Sequence, residues 1–240
     1  MADLIFEHPR LAQIYDALDP DRADLDLYAR FVTEVGARTV LDIGCGTGTL
    51  ACLLAQRGVE VVAVDPARAS LDVARSKPDA HRVRWLHSDA TALPPLRADL
   101  ATMTGNVAQV FITDEEWDST LRGVRAALRP GGRLIFESRD PAKKAWLEWN
   151  RERSHRRIVI DGVGPLETWG ELSDVQHDLV SFRMTVAFER DGAVLTSDST
   201  LRFRDRDDIV DSLLRTGMTV EDVRDAPDRP GREFVFIARR

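Results

Sequence analysis

The sequence predicts an α/β fold in which a doubly wound, mostly parallel sheet carries a small antiparallel β insertion. Short apolar runs alternate with helical patterns between residues 38 and 138. These runs are apolar almost throughout, as is typical of parallel strands that are buried on both faces. Residues 156–203 instead show alternating strand patterns without helices. The chain therefore reads as one α/β unit that is interrupted by a β-rich segment.

The first half of the chain opens with two helical patterns and then alternates between strands and helices. Gly58 ends the helix that follows the first strand, and the acidic first turn of the helix at 114–128 complements the helix dipole. The predicted elements are helices 8–18 and 21–36, strand 38–43, a helix ending near Arg57, strand 59–65, helix 67–76, strands 83–89 and 98–105, helix 114–128, a turn at 130–132 and strand 133–138.

The second half begins with a predicted short helix at 141–153, which contains Trp146 and Trp149. Strand patterns then fill residues 156–203, with a hairpin signal at Arg190-Asp191-Gly192. A helix that ends at Gly217 and two closing strands complete the chain.

Composition limits the classes of function that fit this chain. It has 240 residues and a formal net charge of −7, which disfavours a nucleic-acid partner because phosphates are usually met by a basic face. No apolar run approaches the roughly 18 residues of a membrane-spanning helix, and the N-terminus lacks a signal-peptide pattern. Cys45 and Cys52 have no metal-site or disulfide spacing, so reduced thiols are expected. We therefore predict a cytoplasmic protein with no metal site and no membrane partner.

The segment Val40–Ala51 is the strongest indication of a ligand site. An apolar run reaches Asp42, glycines stand at 44, 46 and 48, and a helical pattern follows. Glycine permits positive φ and close approach of a ligand to the backbone, and a helix start presents unpaired N–H groups. The dinucleotide fingerprint fits imperfectly, because the third small residue counted from Gly44 is missing. A carboxylate beside the turn would repel a pyrophosphate but suits a cationic amine or a sulfonium.

The run VLDIGCGTG at 40–48 resembles the first motif of class I S-adenosylmethionine-dependent methyltransferases. The later motifs of that family are matched in order across residues 36–140, and residues 205–240 match its closing helix and two strands. The resemblance implies a Rossmann-like sheet of seven strands, of which the last is antiparallel. It also implies three parts, which are an N-terminal helical cap at 1–36, a cofactor-binding domain at 37–140 and 204–240, and an insertion at 141–203 that forms an acceptor lid or an oligomer contact.

The cofactor that this resemblance implies is S-adenosyl-L-methionine, with S-adenosyl-L-homocysteine as the product. In such a sheet the ligand lies beyond the carboxyl ends of the strands. The family pattern assigns Asp65 to the ribose hydroxyls, Asp89 to the adenine amino group and the backbone after strand four to the methionine amine. The cofactor-binding residues that the resemblance implies are Tyr15, Asp42, Gly44, Cys45, Gly46, Thr49, Leu50, Asp65, Pro66, Asp89, Ala90, Thr104 and Gly105.

The acceptor side is less clearly marked. Tyr15 lies in AQIYDAL, which resembles a helix that closes over the cofactor in small-molecule methyltransferases. Asn106 and Arg139 follow strand ends and line the mouth by topology, and Arg139 could bind an acceptor carboxylate through two hydrogen bonds. Tyr15, Asn106 and Arg139 are therefore the candidate catalytic residues. No histidine shows a base-and-orienter arrangement, and His87, inside the third strand, is expected to be buried.

Three functions stay open at this point. The first is transfer of a methyl group to an N or O atom of a small-molecule acceptor. The second is an NAD-dependent oxidoreductase on a Rossmann sheet, which the missing glycine disfavours, and the third is a non-catalytic S-adenosylmethionine-binding protein. Trp146, Trp149 and Trp169 either wall an acceptor pocket or form the core of the insertion, and exposed edges of the insertion would suit a homodimer contact.

Overall fold

The computed structural model describes residues 2–240, which form two sheets and the helices that flank them. The strands are β1 Thr39–Ile43, β2 Glu60–Asp65, β3 Val83–His87, β4 Ala98–Met103, β5 Leu128–Arg139, β6 Arg156–Ile160, β7 Gly164–Gln176, β8 Leu179–Phe188, β9 Val194–Arg202, β10 Thr219–Asp225 and β11 Glu233–Arg239. The α-helices are α1 Leu4–Glu7, α2 Pro9–Leu18, α3 Leu25–Glu34, α4 Thr49–Gln56, α5 Arg68–Ser76, α6 Asp114–Ala127, α7 Arg151–Ser154 and α8 Arg206–Arg215. Short 3-10 turns occur at Ala80–Arg82, Val107–Val110, Pro141–Lys143 and Ala145–Glu148.

The main sheet of residues 2–240 has seven strands in the order β10-β11-β5-β4-β1-β2-β3. The pairs β1–β2, β1–β4, β2–β3 and β4–β5 are parallel, whereas β11 runs antiparallel to both β5 and β10. The predicted fold class is therefore confirmed, including the antiparallel last strand. The strand order reverses at β1, which lies between β2 and β4, and a crevice opens at the carboxyl ends of strands at such a point.

Apolar side chains cover both faces of this sheet. One buried cluster joins the strands to α3 and α4 through residues such as Phe31, Leu54 and Ile135. The other joins them to α6 and α8 through residues such as Trp117 and Phe136. Burial on two faces explains why these strands read as continuous apolar runs.

The insertion forms a separate antiparallel sheet in the order β6-β7-β8-β9. Its inner face packs against α1 and α2, because Leu166 and Phe188 share a buried cluster with Leu11 and Ile14. The backbone N–H of Ile5 also donates to Ser197 Oγ at 2.9 Å. The helices α1 and α2 are thus attached to the insertion, whereas α3 packs on the main sheet.

Three sequence predictions were wrong in detail. The helix predicted at 141–153 is broken into short turns, because Lys144 has a left-handed backbone with φ of +46°. The turn at 130–132 lies inside β5 as an irregularity, since the register with β4 shifts between Ala98 and Leu100. His87 is exposed and not buried, and its Nε2 lies 3.0 Å from the Pro66 carbonyl oxygen.

The helices and the acidic, histidine and cysteine side chains of residues 2–240 bear on a membrane partner and on a metal site. Within that range, no helix combines the length and the apolar character needed to cross a membrane. The same residues place no group of three or more His, Cys, Asp or Glu side chains where it could hold a metal ion.

Candidate active site

The glycine turn joins β1 to α4 at the strand-order reversal. Gly44, Gly46 and Gly48 have φ of +64°, +52° and +76°, a region that L side chains rarely adopt. The N–H groups of Gly44 and Cys45 both donate to the Val64 carbonyl, at 2.9 and 3.1 Å. These bonds fix the turn against the end of β2, and α4 begins directly behind it with unpaired N–H groups.

The three glycines face different surroundings. A Cβ atom at Gly44 would lie 2.5 Å from Val107 Cγ2, and one at Gly48 would lie 2.4 Å from the ring of Trp85. A Cβ atom at Gly46 would meet nothing within 4 Å. Gly44 and Gly48 are therefore required by packing, whereas Gly46 presents bare backbone to open space, as a site for close ligand approach would.

Asp42 lies at the end of β1 and is almost fully buried, with 1% of its surface exposed. Its Oδ1 accepts a hydrogen bond from Thr102 Oγ1 at 2.9 Å, but its Oδ2 has no partner among the described residues. Burial raises the pKa of Asp42 to about 7, and the nearby charge of Asp65 adds to this effect. A ligand with a positive charge or an N–H donor would relieve both penalties.

Asp65 ends β2 and connects the glycine turn to the next helix. Its carboxylate accepts from Gly46 N–H at 2.8 Å and from Ala67 N–H at 2.7 Å. Burial raises its pKa, and these two hydrogen bonds oppose the change. A carboxylate has about four lone-pair sites, so it can still accept from two hydroxyl groups of a ligand.

Asp16 lies over the glycine turn and was not among the residues predicted from the sequence. Its carboxylate accepts from Thr47 Oγ1 at 2.5 Å and forms an ion pair with Lys77 Nζ at 2.5 Å. Lys77 also donates to Thr49 Oγ1 at 2.8 Å. Its position next to Tyr15, in the helix that the family resemblance places over the cofactor, could have indicated this role. Asp16 holds α2 against the turn, so α2 covers the crevice.

Tyr15 is half-buried on α2, and its ring packs against Phe6 at a centroid distance of 5.3 Å. Burial raises the pKa of its hydroxyl, while the positive charges of Arg22 and Arg139 oppose that change. The hydroxyl therefore lies within the electrostatic reach of Arg139, another predicted site residue.

Several other predicted residues contribute backbone, not side chains. Leu50 is 3% exposed and belongs to the core, so it offers the site only its N–H group at the start of α4. Ala90 is buried, and its carbonyl packs so close to α6 that a Cβ at Gly123 would lie 1.9 Å from it. Thr104 is half-buried, whereas Pro66 and Gly105 are exposed.

Asp89 hydrogen-bonds within the turn that follows β3. Its side chain is exposed and accepts from Thr91 N–H at 2.8 Å and Thr91 Oγ1 at 2.5 Å, so it closes its own turn. Aspartate side chains in turns and at helix N-caps commonly accept hydrogen bonds from nearby backbone groups in this way. The predicted contact of Asp89 with adenine would use the lone pairs of Oδ2, because Thr91 already donates to Oδ1.

A second polar group lies where β4, β5 and β11 end. Asn106 is left-handed, with φ of +62°, and its N–H donates to Glu137 Oε1 in a short hydrogen bond. Its Nδ2 lies 3.5 Å from Glu233 Oε1. Arg139 forms an ion pair with Glu233 at 3.6 Å and donates to Gln109 Oε1 at 2.9 Å. Glu137 and Glu233 were missed because each looks like an ordinary polar position in a strand.

The tryptophans of the insertion separate into two groups. Trp149 packs on Phe182 at 4.9 Å and lies 5.6 Å from the guanidinium of Arg139. Trp146 packs on Phe203 at 4.7 Å. Trp169 lies elsewhere, below Arg151 at 4.1 Å. Trp149 is thus placed beside a predicted site residue, Arg139.

Comparison with known proteins agrees with this geometry. Residues 40–132 match the family described as "Methyltransferase domain". The cypemycin N-terminal methyltransferase of a Streptomyces species is 39% identical over 128 residues, which are 53% of this chain and 50% of that protein. The demethylmenaquinone methyltransferase of Thermus thermophilus is 36% identical over 115 residues, 46% of this chain and 51% of that protein. The chain spans about half the length of these curated relatives.

Solved structures extend the likeness over the whole chain at the level of fold. An S-adenosylmethionine-dependent methyltransferase from Clostridium acetobutylicum has a TM-score of 0.75 at 20% identity, covering 96% of this chain and 97% of its own. The sugar N-methyltransferase KedS8 from a Streptoalloteichus species has a TM-score of 0.75 at 20% identity, covering 93% and 92%. Residues 40–132 thus match a methyltransferase domain, and the whole chain shares its fold with a solved S-adenosylmethionine-dependent methyltransferase.

Proposed function

We propose that the protein is an S-adenosylmethionine-dependent methyltransferase that methylates an N or O atom of a small molecule. The observation that carries this proposal is the open backbone of Gly46 beside the buried carboxyl groups of Asp42 and Asp65. It lies inside the segment that matches a methyltransferase domain. An NAD-dependent oxidoreductase is not favoured, because the partnerless Asp42 oxygen suits a donor ligand and would repel a pyrophosphate.

The residues present fit S-adenosylmethionine. The unpartnered Oδ2 of Asp42 and the bare backbone at Gly46 are the two features that a ligand would complete. Asp65 is the acceptor for the ribose hydroxyls and Ala90 lies beside the adenine. Asp89 would serve the adenine through its Oδ2, because Thr91 occupies its Oδ1. The remaining contacts come from Tyr15, Gly44, Cys45, Thr49, Leu50, Pro66, Thr104 and Gly105. When bound, this cofactor supplies a methyl group made electrophilic by a sulfonium.

The work left to this chain is to bind, orient and desolvate the acceptor. Holding reactants in line can lower a barrier by about 7–11 kcal/mol in favourable cases. Tyr15 closes the crevice from α2, and Asn106 forms the turn after β4. Arg139, held by Glu233 and Gln109, orients a polar acceptor group. These three residues are our candidates for contact with the substrate.

We further propose the division into a helical cap, a cofactor-binding domain and an insertion that acts as acceptor lid. In the cell we place the protein in the cytoplasm, with a small-molecule acceptor and no nucleic-acid partner. A homodimer would use the edge of the insertion sheet, where Val159 on β6 and Val194 on β9 are 69% and 60% exposed.

Asp65→Ala is expected to weaken S-adenosylhomocysteine binding by about 1–3 kcal/mol, because it removes a buried charged acceptor. The measurement is calorimetric titration, followed by incubation of each protein with methyl-labelled S-adenosylmethionine and a metabolite pool. Wild-type protein should label a small molecule that mass spectrometry identifies, and the variant should label much less of it.

Glu60→Ala is the matched control, since Glu60 is an exposed carboxylate at the opposite end of the same strand. It should bind S-adenosylhomocysteine as wild type does. Equal affinity of the Asp65→Ala variant and wild type would contradict the role of Asp65. Tight S-adenosylhomocysteine binding with no labelled product from any pool would favour the non-catalytic alternative.

A further inference from the structure

A small cavity with several charged side chains in its lining lies behind the turn that follows β4, between α3, β5 and β11. Its volume is about 40 Å³, enough for one ammonium-sized group or a water molecule. Its lining includes Tyr28, Gly105, Asn106, Glu137, Arg229 and Glu233. A larger ligand would have to place one small group in this cavity and its remaining atoms outside.

Three oxygen atoms on the lining residues have no hydrogen-bond partner within residues 2–240. They are the hydroxyl of Tyr28, Oδ1 of Asn106 and Oε2 of Glu137. The three residues are only 2%, 5% and 7% exposed. A buried polar atom without a partner costs about 1–3 kcal/mol, so three around one cavity indicate a missing donor. The orientation of the Asn106 amide is consistent with this, because its Nδ2 faces Glu233.

The charges around the cavity leave Glu137 without a cation of its own. Arg229 pairs with Glu233 at 2.8 Å, and Arg139 pairs with the same carboxylate at 3.6 Å. Burial and the charge of Glu233 raise the pKa of Glu137 to about 8, while the N–H of Asn106 and the charge of Arg139 oppose this. A cation in the cavity would complete the charge balance. The other charged residues that line it are Asp24 and Asp228.

We infer that the methyl acceptor carries an amino group, and that this group binds in the cavity against Glu137 Oε2, Asn106 Oδ1 and the Tyr28 hydroxyl. This inference rests on the proposed function. An alkylammonium has three N–H donors, which match three partnerless oxygens, whereas an alcohol has one donor. Before methylation one N–H bond breaks and an O–H bond forms on the Glu137 carboxylate, while the electron pair stays on nitrogen.

The test uses propylammonium chloride and 1-propanol as probes on the 240-residue protein saturated with S-adenosylhomocysteine. Ionic strength is held constant with sodium chloride, and NMR follows the backbone and side-chain amide signals of Asn106. We expect saturable shifts with propylammonium and none with 1-propanol. Glu137→Gln should weaken propylammonium binding by at least about ten-fold, because a charged hydrogen bond is lost. Gln can still accept from the Asn106 N–H, which preserves the turn.

Tyr28→Phe is a second variant that removes only a hydroxyl, and it should weaken binding by a smaller factor. Glu221→Gln removes a carboxylate on β10 that pairs with Arg133 of β5, and it should leave binding unchanged. No saturable shift in wild type, or equal binding in the Glu137→Gln variant, would overturn the inference. So would a labelled product of the metabolite-pool assay that carries the methyl group on oxygen.

Failure of this inference and failure of the proposed function give different results. If S-adenosylhomocysteine does not bind in calorimetry, the proposed function is wrong and the acceptor inference falls with it. If S-adenosylhomocysteine binds but propylammonium does not, only the amine inference is wrong.

Discussion

Asp42→Asn is expected to stabilise the ligand-free protein by about 1–3 kcal/mol at pH 8. The pKa of Asp42 is raised from 3.8 to about 7, and each pKa unit corresponds to about 1.4 kcal/mol. The charged form is thus opposed by about 4 kcal/mol in the folded state. An asparagine removes that charge but leaves a buried NH₂ group unpaired, which reduces the gain in stability by about 1–3 kcal/mol.

The sign of the pH dependence follows from the raised pKa. Between pH 4 and 7 the folded state binds the Asp42 proton more tightly than the unfolded state, so this group makes stability fall as pH rises. The penalty is nearly absent below pH 4 and complete above pH 7. Urea unfolding at pH 4 and pH 8 should therefore show a gain for the variant only at pH 8.

Asp99→Asn is a control with the opposite sign. Arg129 and the N–H groups of Arg38 and Thr39 lower the pKa of Asp99 to about 2, against the effect of its partial burial. That variant should be less stable than wild type at pH 8. A stability gain from Asp42→Asn that is equal at pH 4 and pH 8 would contradict our account of Asp42. Asp42→Asn should also weaken S-adenosylhomocysteine binding, because the side chain loses its negative charge.

Gly48→Ala is expected mainly to reduce stability, whereas Gly46→Ala is expected mainly to reduce ligand affinity. At Gly48 the new Cβ would lie 2.4 Å from Trp85 and 2.9 Å from Ala74 Cβ, at φ of +76°. Left-handed strain of about 1–2 kcal/mol and overpacking of about 1–3 kcal/mol together predict a loss of about 2–5 kcal/mol in the free energy of unfolding. Chemical denaturation measures this loss directly.

At Gly46 the same substitution meets open space, so only the backbone strain of about 1–2 kcal/mol opposes folding. The added methyl group occupies the face that a ligand would touch, and we expect S-adenosylhomocysteine affinity to fall at least about ten-fold, or ~1.4 kcal/mol. Each variant is the other's control. An unaltered affinity in folded Gly46→Ala protein would show that this face is not the ligand face.

The main sheet could be predicted from the sequence because its strands are buried on both faces. Runs such as EVVAVD at 60–65 are apolar for that reason, and the glycines at 44, 46 and 48 mark a turn in which the backbone is left-handed at all three positions. The sequence predicted that the insertion is β-rich but not that it packs on α1 and α2, because the buried cluster that contains Leu11 and Leu166 joins residues far apart in the sequence. Local patterns carry no information about such pairs.

The candidate site shows the same limit. Asp42 and Asp65 follow strands within a recognisable motif, so their position indicated their role. Glu137 is the next-to-last residue of RLIFES, where alternation alone does not reveal that it holds the Asn106 turn. The broken helix at 141–153 was missed for a related reason, since Trp149 packs on Phe182 of the insertion and not on a helix neighbour. Tertiary contacts decided both cases.

The central claim is that the glycine turn and its two buried carboxyl groups form an S-adenosylmethionine site. Parallel calorimetric titrations of the wild-type protein with S-adenosylhomocysteine and with NAD test it most directly. We predict saturable binding of S-adenosylhomocysteine at one site per chain and no binding of NAD. Tight binding of NAD without binding of S-adenosylhomocysteine would contradict the account.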